Sequence, residues 1–284
     1  LSECCRQYVN SEQRFSLTCG KPLRTLGVAG DYHIIQLIQE DQSSLTQLAW
    51  KDGKTVLLKT LASKWMGHPE VAEQFYQEAR RLLALNHPTL PRFIDVFLLQ
   101  GQPYLVMEPI FGQTLQHVVA KNGAFDPTEA IAILLEICGA LNYLHHQIPP
   151  IFHGAIQPAN LVQRIVATTT QWVITGFMPG SGVTPSLLAS TAYTAPEQKQ
   201  GQVSFAADLY SLGITLVYLL TGKSPDGFYM QGEQGRSFDA ASVPNLPSEL
   251  LPIIQKLTNP QPEQRFASAE ELADALQRIS SVQV

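Results

Sequence analysis

Between residues 32 and 107 the apolar positions fall in short runs bounded by polar turns, the spacing of β-strands rather than helices. Tyr32–Ile38, Leu45–Trp50 and Thr55–Leu61 read as strands, with Asp52-Gly53 as the hairpin turn between the last two. One helix interrupts them. Pro69 suits its first turn, Val71, Phe75, Ala79, Leu82 and Leu83 recur at helical spacing, and Asn86-His87-Pro88 stops it. Phe93–Leu99 and Tyr104–Met107 add two more strands. Beyond Gly112 the period changes to that of helices. Asp126-Pro127-Thr128-Glu129 is a capping box that opens a long helix ending near His145. Phe205–Leu220 is apolar on every face, which predicts a buried helix. Ser248–Thr258 and Ser268–Ile279 are amphipathic, the second again begun by a capping box, Ser268 with Glu271. A sheet-rich part followed by a helical one predicts an α+β fold.

Composition narrows the function classes. Hydrophobic residues make up 45% of the 284, enough for a sizeable core, and charged residues only 15%, against roughly 25% in a typical soluble domain. A net charge of −5 and the lack of any Lys/Arg run exclude a phosphate-tracking nucleic-acid surface. The longest apolar stretch, Leu209 to Leu220, is broken by Ser211 and Gly213 and is shorter than the ~20 residues of a membrane span. Of the four cysteines, Cys138 lies in an apolar helical run and reads as core. Cys4, Cys5 and Cys19 crowd the first 26 residues, where Cys19-Gly20-Lys21-Pro22-Leu23 resembles the end of a zinc ribbon. Tetrahedral zinc wants four thiolate or imidazole ligands. Ser16 stands where the partner of Cys19 belongs, so this segment reads as a degenerate ribbon or linker, with those three cysteines as its candidate ligands.

Several motifs then occur in one order: Val56-Leu57-Leu58-Lys59, Glu78 in the following helix, Tyr104-Leu105-Val106-Met107-Glu108, His153-Gly154-Ala155-Ile156-Gln157-Pro158-Ala159-Asn160, Ala195-Pro196-Glu197, Asp208 and Arg265. In that order they resemble the bacterial Ser/Thr (Hanks-type) protein kinases from about residue 32 to 279. The resemblance implies a bilobal protein-kinase-like fold over 27–281: a sheet-rich N-lobe (27–107), a hinge (108–112) and a helical C-lobe (113–281). It also implies roles. Lys59 and Glu78 match the ion pair that holds the helix to the sheet. Leu57 falls where the family has an Ala against adenine, and Glu108 and Ile110 supply the hinge carbonyl and amide. Glu197 and Arg265 match a buried ion pair, and Asp208 the acid that receives catalytic-loop amides.

The departures from the family fall on the chemistry. The glycine-rich loop, whose bare backbone approaches the ATP phosphates, is replaced by Gln39-Glu40-Asp41-Gln42-Ser43-Ser44, which has no glycine and two acids. The catalytic Asp position holds Ala155, the Lys position Gln157, and the Arg position that receives an activation-loop phosphate Gly154. Asn160, a magnesium ligand in the family, is present. In Trp172-Val173-Ile174-Thr175-Gly176-Phe177 the metal-binding Asp becomes Thr175, and residues 161–195 contain no Asp or Glu.

With those losses the resemblance implies a pseudokinase, no enzyme but a scaffold or allosteric regulatory module in cytoplasmic phospho-signalling. Its partner would be a kinase, a phosphatase or another domain of the same polypeptide. No cofactor is expected, and ATP would bind weakly or not at all, without magnesium. Two other functions stay open: a metal-independent nucleotide sensor, and an atypical Ser/Thr kinase with residual phosphotransfer.

Overall fold

Alternating buried and open positions fold the first part of the chain into one antiparallel sheet. The computed structural model describes residues 15–16, 20–179, 191–232 and 235–282. Two compact units result, residues 1–86 with 92–109, and residues 87–91 with 110–284. In the first unit the strands are β1 (Gly27–Ala29), β2 (Tyr32–Glu40), β3 (Ser44–Lys51), β4 (Lys54–Leu61), β5 (Phe93–Leu99) and β6 (Gln102–Met107). Their order across the sheet is β1-β2-β3-β4-β6-β5. β3 and β4 stay in unbroken register from Ser44 opposite Leu61 to Lys51 opposite Lys54. β2 carries two bulges before it reaches the turn at Asp41.

Ala29, Tyr32, Ile34, Ala49, Val56, Leu58 and Val106 form a core cluster on this sheet, with Phe97, Leu99 and Tyr104 packed against it. The rings of Tyr32, Phe97 and Tyr104 stack in series at 5.5 and 5.0 Å. Helix α1 (Pro69–Leu82) buries Val71, Phe75, Ala79 and Leu82, one stripe at helical spacing, and packs on β5 and β6. Each large apolar side chain buried in this way contributes about 1.5–3 kcal/mol.

The second unit holds α2 (Leu115–Asn122), α3 (Pro127–His145), the hairpin β7 (Leu161–Val166) and β8 (Thr169–Ile174), α4 (Phe205–Thr221), the hairpin β9 (Tyr229–Gly232) and β10 (Gly235–Phe238), α5 (Leu251–Leu257) and α6 (Ala269–Val282). The Asp126 carboxylate caps α3 by accepting from the amides of Thr128 and Glu129. Among the described residues α3 alone is long and apolar enough to cross a membrane by composition, yet it packs against α4, α6 and β8 as a core helix. Helix α4 is buried from Ala206 to Leu219, as its all-round apolarity requires. It meets α5 at Gly213, where a Cβ would lie 2.6 Å from that of Leu257, so the approach needs glycine.

The pattern of apolar positions did not predict α2, β1 or the β9–β10 hairpin, all short. The amphipathic stretch 248–258 is helical only over Leu251–Leu257, because Pro247 to Leu250 form a turn before it. Cys4, Cys5 and Cys19 lie outside the described residues.

Candidate functional site

In the second unit the β7–β8 hairpin positions the residues matched to the catalytic loop and metal site. Its register sets Leu161 opposite Ile174, so the residues just outside, Asn160 and Thr175, meet at its open end. There the Thr175 amide donates to the Asn160 carbonyl at 2.7 Å, and the Thr175 hydroxyl donates to the same oxygen at 3.0 Å. The Asn160 side-chain amide donates to the Ala155 carbonyl at 2.8 Å. Gly176, at φ 86°, leaves room for that side chain; a Cβ there would stand 2.5 Å from its Cγ. Ala155 presents only a methyl group. Gln157 starts the 3₁₀ turn of Pro158–Asn160 through its carbonyl, which accepts from the Asn160 amide.

The segment from His153 to Asn160 is held from below by Asp208, which is fully buried at the start of α4. Its carboxylate accepts from the amides of His153 at 3.0 Å and Gly154 at 2.7 Å, and lies 2.9 Å from the His145 Nε2. Burial raises the Asp208 pKa, but the His145 hydrogen bond and the charges of His145 and His153 outweigh it and hold the group below its ordinary value. The His153 ring lies edge-on to Phe177 at 4.5 Å, and its Nε2 is 3.0 Å from the Thr175 carbonyl.

Glu197 and Arg265, both buried, form a two-pronged ion pair at 2.6 and 2.8 Å. The guanidinium also donates to the carbonyls of Asn259 and Ala206 and stacks over Tyr210 at 4.9 Å. The sequence reading missed a second set of anchors. Buried Gln198 donates to the Gly154 carbonyl at 2.8 Å and accepts from the Ala195 amide at 2.9 Å, tying Ala195-Pro196-Glu197 to the loop. The Tyr229 and Ser211 hydroxyls hold the carbonyls of Ala192 and Tyr193. In each of these anchoring contacts the partner is a backbone atom, and the spacing of the residues carries no local signal. Beside Ala155 lies a small open cavity of about 50 Å³, lined by Gln157, Thr191, Tyr193, Thr194 and Ser211.

In the first unit Lys59 lies on β4 between Thr46 of β3 and Leu105 of β6. Burial outweighs the upward pull of the Asp41 carboxylate in the β2–β3 turn and lowers the ammonium pKa to about 8. Glu78, on α1, accepts from Gln74 at 3.2 Å. Leu57 pairs with Leu48 and Met107 and is half-buried. Glu108 is tied to Arg92, whose carbonyl accepts from its amide and whose amide donates to its carboxylate. Ile110 belongs to the second unit.

The family model described as protein kinase domain matches residues 33–276. The chain belongs to the protein kinase domain family. Serine/threonine-protein kinase B of Synechocystis sp. is 34% identical over 221 residues, covering 72% of this chain and 38% of that protein. Serine/threonine-protein kinase C of the same organism is 30% identical, covering 90% and 49%. PknB of Mycobacterium tuberculosis is 29% identical, covering 80% and 39%. This kinase domain thus spans less than half the length of these curated relatives. The crystal structure of the Mycobacterium tuberculosis PknI kinase domain matches with a TM-score of 0.71 at 23% identity, covering 90% of this chain and 99% of that one, and shows the same fold. The expectation that the chain is no enzyme is corrected by these relatives, which are named Ser/Thr protein kinases. That expectation rested on single positions such as Ala155 and Thr175, whereas membership of the family rests on most of the chain.

Proposed function

We propose that this kinase domain works in Ser/Thr phospho-signalling chiefly as a regulatory module, binding nucleotide weakly and without magnesium and transferring phosphate slowly. The observation that carries the reading is the Thr175 hydroxyl, spent on the Asn160 carbonyl, beside the bare methyl of Ala155. The frame around them is complete: Asp208 grips the loop, and Glu197 with Arg265 anchors the segment that follows. What persists is structural, and what has changed is chemical.

A hard dication such as magnesium takes oxygen ligands and relies on one or two carboxylates. Asn160 and Thr175 offer a neutral amide and a hydroxyl already engaged as a donor, and residues 161–195 contain no acid. These residues do not fit magnesium. Lys59 is the cation that would face a phosphate, and Leu57 overfills the adenine slot, which typically costs about 1–3 kcal/mol.

In protein kinases an Asp takes the proton of the substrate hydroxyl, and turnover is roughly 1–100 per second. Losing a general base costs about 10²–10⁴-fold. Turnover here is therefore expected below about 1 per second. The output of the domain is contact with a protein partner, a kinase, a phosphatase or another domain of its polypeptide. Transfer of γ-phosphate to a Ser/Thr substrate, measured for wild type and Lys59→Met, tests this. Slow transfer, insensitive to EDTA and lost with Lys59→Met, is expected. Magnesium-dependent turnover of about 1–100 per second would contradict it.

A further inference from the structure

The β2–β3 turn is wrapped around its own carboxylate. Asp41 Oδ1 accepts from the amides of Ser43 at 2.7 Å and Ser44 at 2.8 Å. Its Oδ2 accepts from the Gln39 side-chain amide at 3.2 Å and the Ser44 hydroxyl at 3.3 Å. The turn is closed by the Asp41 amide on the Ser44 carbonyl, and the amide of Ala62, just past the end of β4, holds the Ser43 carbonyl. Four donors therefore converge on one anion, and that anion is part of the protein.

The sheet carries this anion towards Lys59. Gln39 pairs with Thr46, and Thr46 with Lys59, so Lys59 stands in the row of the sheet two residues before Asp41. Asp41 is the carboxylate whose charge stabilises the Lys59 ammonium. The same side chain thus occupies the amides of the turn and offsets the cation of β4.

We propose that Asp41 is a ligand-specificity residue: a built-in anion that competes with phosphate oxygens for the turn amides and for Lys59, and so discriminates against nucleoside polyphosphates. This rests on the reading of Lys59 as the phosphate-facing residue of the kinase domain. Two consequences separate charge from occupancy. Asp41→Asn keeps an oxygen for the Ser43 and Ser44 amides, preserving the turn, but removes the charge. Asp41→Ala removes both.

The test is direct binding of ATP, inorganic tripolyphosphate and adenosine, all in EDTA, to wild type, Asp41→Asn, Asp41→Ala and the double variant Asp41→Asn/Lys59→Met. Asp41→Asn is expected to bind ATP and tripolyphosphate at least tenfold more tightly than wild type, with adenosine unchanged. Asp41→Ala is expected to equal or exceed that gain, and the double variant to lose it. Unchanged polyphosphate affinity in Asp41→Asn, a gain that persists without Lys59, or an equal gain for adenosine would overturn the proposal. So would the absence of polyphosphate binding in every variant. The adenosine arm and the phosphotransfer rate report on the functional reading separately, since neither depends on Asp41 facing a phosphate.

Discussion

At the scale of single residues, the frame is held by charges that lie out of water. Arg265 binds both oxygens of Glu197 inside the second unit, and removing one partner of such a pair leaves the other charge buried and uncompensated. Glu197→Gln or Arg265→Met is expected to cost about 3–5 kcal/mol in denaturant unfolding, and a loss below about 1 kcal/mol would show the pair to be peripheral. Asp208 adds a pH dependence. Its folded pKa lies below the ordinary 3.8, so its stabilisation is complete above that value and is lost as pH falls through the lower, folded one. Asp208→Asn is expected to flatten this acid limb of a stability–pH curve. Lys59 has the opposite consequence for ligands. With its pKa brought to about 8 by burial, it is charged at neutral pH and neutral above that value. In Asp41→Asn, which lacks the carboxylate that pulls this pKa up, tripolyphosphate affinity is expected to fall as pH rises towards 8, which a titration series checks. The identities of these residues were legible from motif order. The Gln198, Tyr229 and His145 contacts were not, because each joins segments far apart in sequence through a backbone atom or a buried carboxylate.

At the scale of elements, long periodic segments declared themselves and short ones did not. The stripe of Val71, Phe75, Ala79 and Leu82 and the Asp126 cap predicted α1 and α3 to within a few residues. Helix α2 has only eight residues, too few for its period to stand out, although its Thr114 cap and the Gly123 that ends it are both visible afterwards. The Asp41 turn was half legible. An Asp whose carboxylate takes the amides two and three residues on is ordinary turn chemistry. Its electrostatic hold on Lys59 depends on the register of three strands, which no local pattern states. Helix packing gives its own prediction. Gly213→Ala would push a methyl into Leu257, so it is expected to destabilise by about 1–3 kcal/mol, measured by thermal or chemical unfolding. A neutral result would mean that α5 can retreat from α4 without cost.

At the scale of the whole molecule, the chain keeps the architecture of the protein kinase family over residues 33–276 while its chemical positions differ from the family pattern. Architecture is spread over many buried side chains, so it tolerates change at a few polar ones. Phosphoryl transfer depends on a handful of charged groups, so it does not. The central claim is that carboxylates missing at positions 155 and 175 limit the rate. The measurement that bears on it most directly is the magnesium-dependent phosphotransfer rate of Ala155→Asp/Thr175→Asp beside wild type. A rise of at least about a hundredfold over a slow wild type is predicted. A wild type already turning over at about 1–100 per second, or a double variant that folds and is no faster, would contradict it.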